Sequence, residues 1–170
     1  MDLASMIRDI PNFPVDGILF KDITTLLTDA DAFRTVIDRL VERFQDKDID
    51  TVAAIESRGF ILGAPMAYLL HAGFVPVRKP NKLPAEKIAR EYTLEYGTNI
   101  LEMHVDAIKP GQKVLLVDDL LATGGSARAS VELIEHLGGE VVGIAFLIDL
   151  TFLEGIKKLA GYDVFSLIQF

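Results

Sequence analysis

The residues best suited by type and spacing to do chemistry lie together in Val114–Ser126 (VLLVDDLLATGGS). An apolar run ends on two adjacent carboxylates, Asp118 and Asp119. Leu120 and Leu121 follow, and the small run Ala122, Thr123, Gly124, Gly125 and Ser126 then opens a helix. Small residues let backbone N–H groups converge on an anion, and a helix N-terminus adds its dipole. Thr123 and Ser126 add hydroxyl donors, so a phosphate monoester fits this cup. The aspartates cannot join it, because like charges repel. They suit hydroxyls, such as the 2′ and 3′ groups of a ribose, or a cation. A phosphate cup preceded by two carboxylates therefore describes a ribose 5-phosphate. The plain alternative is a capped helix start with two exposed aspartates. Against it, Gly124-Gly125 is costly at a helix start unless something must approach the backbone closely. Neither G-x-x-x-x-G-K-S/T nor G-x-G-x-x-G occurs, which removes the main support for an ATPase or a dinucleotide-binding protein.

Those residues need elements to place them. Phe33, Val36, Ile37, Leu40, Val41 and Phe44 keep the spacing of one apolar helix face over Ala32–Phe44. Thr51–Ile55 has no polar face and suits a buried parallel strand. Glu56–Gly59 (ESRG) is the turn after it. A helix follows to about Leu70, stopped by Gly73, and Phe74–Val77 is the next strand. Arg78–Glu91 is polar, basic and holds two prolines; a loop of that length in a compact domain is often a mobile lid. Thr98–Val105 sets Leu101, Met103 and Val105 against Glu102, His104 and Asp106, a strand with one wet face. Lys113–Val117 reads as a buried strand, Ser126–Leu137 as a helix closed by Gly138-Gly139, Val141–Ile148 as a strand, Phe152–Leu159 as a short helix and Val164–Ile168 as the last strand. The first thirty residues, with Pro11, Pro14 and Gly17, read as a loop-rich cap. This alternation implies an α/β fold: a parallel-dominated twisted sheet flanked by helices, in one domain spanning 1–170 with 1–30 as a small N-terminal hood. In such sheets ligands sit beyond the carboxyl ends of the strands. That rule selects Glu56–Gly59, Arg78–Glu91 and Asp118–Ser126.

Bulk properties exclude several classes. The 170-residue chain has no cysteine, so disulfides, thiolate metal sites and a cysteine nucleophile are ruled out. A net charge of −8 argues against a general nucleic-acid partner. One local cluster is basic: Arg78, Lys79, Lys82, Lys87 and Arg90. The N-terminus lacks the pattern of a signal peptide, and no apolar run is long enough to span a bilayer, so no membrane partner and a cytoplasmic location are expected. His71, His104 and His136 are not spaced as a metal site.

Val114–Ser126 resembles the phosphoribosyl pyrophosphate signature of the type I phosphoribosyltransferases. The resemblance extends through Ile10–Thr24 (IPNFPVDGILFKDIT), Glu56–Phe60 (ESRGF), Phe74–Pro84 (FVPVRKPNKLP), Tyr92–Gly97 (YTLEYG) and the terminal FSLIQF, in the family's order and over nearly the whole chain. The signature alone implies the sugar phosphate; the N-terminal and YTLEYG blocks imply the adenine-using branch. The resemblance implies transfer of a phosphoribosyl group from phosphoribosyl pyrophosphate to adenine, giving AMP and pyrophosphate. It puts the 5-phosphate on Ala122, Thr123, Gly124, Gly125 and Ser126 and the ribose hydroxyls on Asp118 and Asp119. Pyrophosphate falls to Ser57, Arg58, Lys79 and Lys82. Adenine falls to Phe20 and Leu120, with backbone groups near Leu19 and Lys21 reading its edge. Glu95 is the implied acid/base near N7 of adenine, and Arg78 and Tyr96 belong to a closing lid. Mg²⁺ is implied by the substrate, with no firm direct protein ligand, and a homodimer is expected. Asn81 stands where the family usually has glycine, and Lys21 where many relatives have arginine. Two rivals stay open: an enzyme of the same fold using another purine, and a regulator that senses a purine or phosphoribosyl pyrophosphate.

Overall fold

The computed structural model describes residues 1–94 and 97–170, which form two compact units, Met1–Arg39 and Leu40–Phe170. Glu95 and Tyr96 lie outside the described residues. The first unit is more regular than a loop-rich cap. Strands β1 (Arg8–Pro11) and β2 (Leu19–Asp22) pair antiparallel, with Arg8 opposite Asp22. Two ion pairs clasp this ribbon, Arg8–Asp22 at 2.5 Å and Lys21–Asp9 at 2.7 Å. Helix α1 (Thr24–Leu27) follows, and then α2 (Ala30–Phe44). The latter starts two residues before its apolar periodicity does, because Asp29 caps it by accepting the Ala32 N–H at 2.9 Å. Its buried stripe is Ala32, Val36, Ile37, Leu40 and Phe44, while Phe33 and Val41 are half-buried.

The second unit is built on a five-stranded, wholly parallel sheet in the order β4-β3-β7-β8-β9. These strands are β3 (Thr51–Ile55), β4 (Gly73–Val77), β7 (Lys113–Leu121), β8 (Glu140–Asp149) and β9 (Val164–Gln169). Helix α3 (Arg58–Leu69) packs on β3 and β7, and α4 (Gly125–His136) on β7 and β8. This is the expected α/β class. Central position explains the near-continuous apolar sequence of β3 and β7: both faces are covered.

Four local expectations change. Gly73 does not stop α3. His71 does, at φ 54°, with the Ala72 N–H donating to Ala67 O and the His71 N–H to Tyr68 O, the double bond of a Schellman end; Gly73 opens β4 instead. The basic segment is not all loop. Lys87–Leu94 is strand β5, paired antiparallel with β6 (Gly97–His104), so Lys87 and Arg90 belong to a ribbon and only 79–86 remain irregular. Glu102 is buried rather than on a wet face: its backbone exchanges two hydrogen bonds with Arg78, and its carboxylate lies 3.6 Å from Lys87 Nζ. The helix expected over Phe152–Leu159 is two 3-10 turns, Thr151–Leu153 and Gly155–Leu159.

Helix α3 sits close on the sheet because Gly63 faces it. A Cβ there would stand 2.6 Å from Ala54 Cβ and 3.3 Å from the Phe74 ring. Gly63→Val is therefore expected to push α3 off β3 and destabilise the protein by roughly 1–3 kcal/mol. Urea unfolding followed by circular dichroism checks it; an unchanged midpoint would contradict this packing.

Candidate functional site

The carboxyl ends of β3 and β7 and the first residues of α3 and α4 line a cleft of ≈ 350 Å³. It gathers Ser57, Arg58, Lys79, Asp118, Asp119, Leu120, Ala122, Thr123, Gly124 and Ser126. Gly125, Arg78 and Lys82 are not among its lining residues, and Lys82 is exposed. Leu19, Phe20 and Lys21 lie on β2 in the first unit; there the Phe20 ring meets Phe13 edge-on at 5.1 Å. Both helices begin at the cleft, and neither start is capped by its own side chain. Two helix N-termini thus bring two positive dipole ends to one cavity.

Asp118 and Asp119 are not loop residues. Strand β7 runs on to Leu121, because the ten-residue β8 continues the ladder past the aspartates: Asp118 pairs with Phe146 and Leu121 with Asp149. Both side chains are consequently buried, at 8% and 5% exposure, which removes the alternative of an exposed pair serving only as a cap. Asp119 Oδ2 accepts a hydrogen bond from Arg58 Nε at 2.5 Å, and Asp118 Oδ1 accepts the Asp119 N–H at 2.9 Å. Burial, and then the charge of Asp119, push the Asp118 carboxyl well above its ordinary value, with Arg58 offsetting part of the effect.

The glycine pair has a different cause from the one inferred above. Gly124 adopts φ +83°, and a Cβ on it would stand 2.5 Å from Gly155 O. Gly125 is less tightly held, with the Tyr92 ring at 3.0 Å from such a Cβ. Protein already approaches both backbones, so the two glycines follow from packing as well as from any anion. Asn81 does adopt the left-handed conformation that its glycine counterpart favours, at φ 67°.

Sequence reasoning reached Glu56 only as part of the turn after β3 and missed the role of its carboxylate, and it missed Tyr92 and Gly155 as site residues. Glu56 lines the cleft, and its carboxylate accepts the Lys79 N–H and pairs with Arg78 at 3.3 Å. The Glu56-Ser57 peptide is cis. Tyr92 lines the cleft from β5. Gly155 is distant in sequence and carries no local signal. The role of Glu56 could have been found: a carboxylate at the head of an anion-binding loop asks for a partner.

The arrangement can hold two anionic groups, one at each helix start, with a hydroxyl-bearing unit between them at the aspartates. Asp118→Asn should separate stability from function. The asparagine oxygen can still accept the Asp119 N–H while the buried charge is gone. Because folding raises the carboxyl, its ionised form is disfavoured in the folded state. The gain is thus absent below the ordinary carboxyl value of 3.8 and opens as pH rises. At pH 7 we expect it to be on the order of 1 kcal/mol, with turnover falling roughly 100-fold. Thermal melts at pH 3.5 and pH 7 with an activity assay check both; a variant less stable at pH 7 would refute the account.

The phosphoribosyl transferase domain family matches residues 23–166. The chain is 60% identical to the adenine phosphoribosyltransferase of Chloroflexus aurantiacus, over 99% of its length and 98% of the relative's. It is 57% identical to that of Halothermothrix orenii, over 99% of both. Among solved structures, the adenine phosphoribosyltransferase of Thermoanaerobacter pseudethanolicus superposes with a TM-score of 0.97 at 57% identity, covering 99% of this chain and 98% of that one. Matched at this level over essentially its whole length, the chain belongs to the adenine phosphoribosyltransferases of the phosphoribosyl transferase domain family.

Proposed function

We propose that the cleft between β3 and β7 carries out the family's reaction, the transfer of a 5-phosphoribosyl group from phosphoribosyl pyrophosphate to adenine, giving AMP and pyrophosphate. The observation that carries this assignment is the pairing of two helix N-termini with two buried aspartates in one cavity. The 5-phosphate sits on Ala122–Ser126 at the start of α4. Asp118 and Asp119 hold the ribose hydroxyls. Ser57, Arg58 and Lys79 meet the pyrophosphate, with Arg58 as a bidentate donor once it shares itself between Asp119 and the substrate. Lys82 and Arg78 join from the basic segment. Leu19, Phe20 and Lys21 are assigned to the base, as is Leu120. The Saccharomyces cerevisiae relative, 40% identical with a TM-score of 0.91, was crystallised with adenine, which supports the choice of base. Glu95 exchanges the proton on the adenine as N9 becomes bonded. Tyr96 helps close the site.

Mg²⁺ fits this chemistry through the substrate. Asp118 and Asp119 offer hard carboxylate oxygens, but among the described residues no cluster of three metal-ligating side chains exists. Substrate oxygens would therefore make most of its contacts, and the ion would neutralise charge on the leaving pyrophosphate.

We also assign a cytoplasmic homodimer. No helix among the described residues is long and apolar enough to cross a membrane. Tyr68, Leu69 and Ile61 of α3 and Phe74 of β4 expose apolar surface, the kind of surface that a second copy would cover. Sedimentation at micromolar concentration should give twice the chain mass; a pure monomer would rule the dimer out.

One assay tests the reaction. Purified protein with Mg²⁺, phosphoribosyl pyrophosphate and a panel of purines should form AMP from adenine far faster than any other nucleotide. Turnover of hypoxanthine without adenine would defeat the assignment. In the same assay Glu95→Ala should lower kcat by roughly 10²-fold or more while leaving phosphoribosyl pyrophosphate binding near wild type; an unchanged kcat would remove its acid/base role.

A further inference from the structure

Glu56 stands where its charge is unwelcome. It follows the last residue of β3, lines the cleft beside Ser57 and Arg58, and its side chain is only 10% exposed. A carboxylate next to an anion-binding loop repels the anion unless other groups consume its charge. Here they do. One carboxylate oxygen accepts the Lys79 N–H, and the other lies 3.3 Å from an Arg78 terminal nitrogen. The Glu56 N–H also donates to Val77 O at 2.9 Å. All three contacts join the loop after β3 to the segment leaving β4. Burial pushes the Glu56 carboxyl up, but the Lys79 N–H and the Arg78 guanidinium outweigh it and hold the group below its ordinary value.

Arg78 is gripped from its other sides as well. Its backbone exchanges hydrogen bonds with Glu102 at 3.0 and 2.7 Å, and its guanidinium lies over the Phe60 ring at 5.8 Å. The first two residues of the basic segment are therefore a fixed abutment, and the carboxylate of Glu56 is the part that ties it to Ser57 and Arg58. Resting on the function assigned above, we propose that Glu56 is a positioning residue for pyrophosphate: its carboxylate ties Arg78 and the backbone of Lys79 to the loop bearing Ser57 and Arg58, so that Lys79 and Arg58 meet the leaving group as one preformed wall. Glu56 acts through these neighbours and exchanges no proton with substrate.

Positioning and simple repulsion predict opposite signs. If Glu56 merely repels, its removal tightens anion binding. If it positions, its removal loosens it. The test uses the full-length protein, with E56A and the near-isosteric E56Q. E56A should raise KM for phosphoribosyl pyrophosphate, and the inhibition constant of inorganic pyrophosphate, by about tenfold or more, while kcat and the KM for adenine change by less than about threefold. E56Q keeps an oxygen for the Lys79 N–H and should recover most of that loss. Should E56A fail to fold, E56Q alone decides, with an increase of roughly threefold expected in both pyrophosphate-dependent constants. Unchanged or tighter pyrophosphate binding in either folded variant overturns the proposal, as does a loss confined to kcat. A wild-type protein that makes no AMP defeats the assigned reaction instead, so the two failures are distinguishable.

Discussion

Two vicinal carboxylates buried at the end of a central strand set the terms for the rest of the site. Taking an unpaired charge out of water costs several kcal/mol, so such a pair persists only where donors reach it. Arg58 reaches Asp119 at 2.5 Å, and the Asp119 N–H serves Asp118. For Arg58 to do so, α3 must begin almost on top of β7. Gly59 permits this: a Cβ there would lie 3.0 Å from Asp118 Oδ1 and 3.1 Å from Val117 O. One turn later Gly63 lets the same helix lie on Ala54. The electrostatic need of the aspartates and the packing of α3 are therefore one constraint, met by two glycines four residues apart on one helix face. The arrangement also leaves Asp118 uneasy, its carboxyl pushed up by burial beside a like charge. A protein selected for stability alone would not keep that group there.

The segment that opens α4 shows the same economy of space. The segment Ala122–Ser126 is wedged between backbone and ring. Gly155 lies against Ala122 O and Gly124 N on one side, and Tyr92 against Gly125 on the other. The Leu150 N–H donates to Leu121 O at 3.0 Å, joining the end of β7 to the chain after β8. A segment so confined has little conformational freedom left to lose. The cost falls on sequence: backbone contact confines 124 and 155 to glycine, although only 124 lies within the segment itself.

What could be read from the chain divides along physical lines. Strands β3 and β7 and helices α2 and α4 were legible because burial on fixed faces imposes periodicity that a single sequence carries. Strand β6 was legible from its alternation, but β5 was not, because the half-buried face that carries Ile88 and Tyr92 is interrupted by Arg90. The end of α3 near Leu70 was legible, but its stop was assigned to Gly73 because glycine is the usual left-handed residue, and nothing in the sequence marks His71 as taking that role. At the site, Asp118, Asp119 and Thr123 were singled out by chemistry, and the turn holding Ser57 and Arg58 by its place after β3, while the roles of Ser57 and Arg58 came from resemblance. The partners of the Glu56 carboxylate and the place of Gly155 were not legible, since they lie in contacts with Arg78 and Lys79 and with Ala122 and Gly124, far along the chain. Adenine recognition and Glu95 were carried by resemblance rather than by chemistry, and Glu95 lies outside the described residues.

The balance of charge follows from the same local logic. A chain of net charge −8 is poorly suited to a polyanion as a whole, yet its cleft is assigned a substrate that carries three phosphate groups. The resolution is that field strength near a cavity is set by the nearest groups, because solvent charges beyond about 8–10 Å are largely screened at physiological ionic strength. Within that radius the cleft holds Arg58, Lys79 and two helix N-termini, while one aspartate is engaged by Arg58 and Glu56 is consumed by Arg78 and Lys79. Each carboxylate at the site is thus either paired, or buried with its ionised form disfavoured. Each helix start keeps its positive dipole end toward the cleft, where neither N-cap side chain caps the backbone. The acidic remainder of the surface does not weaken this, and it disfavours longer anionic chains that would have to lie across it.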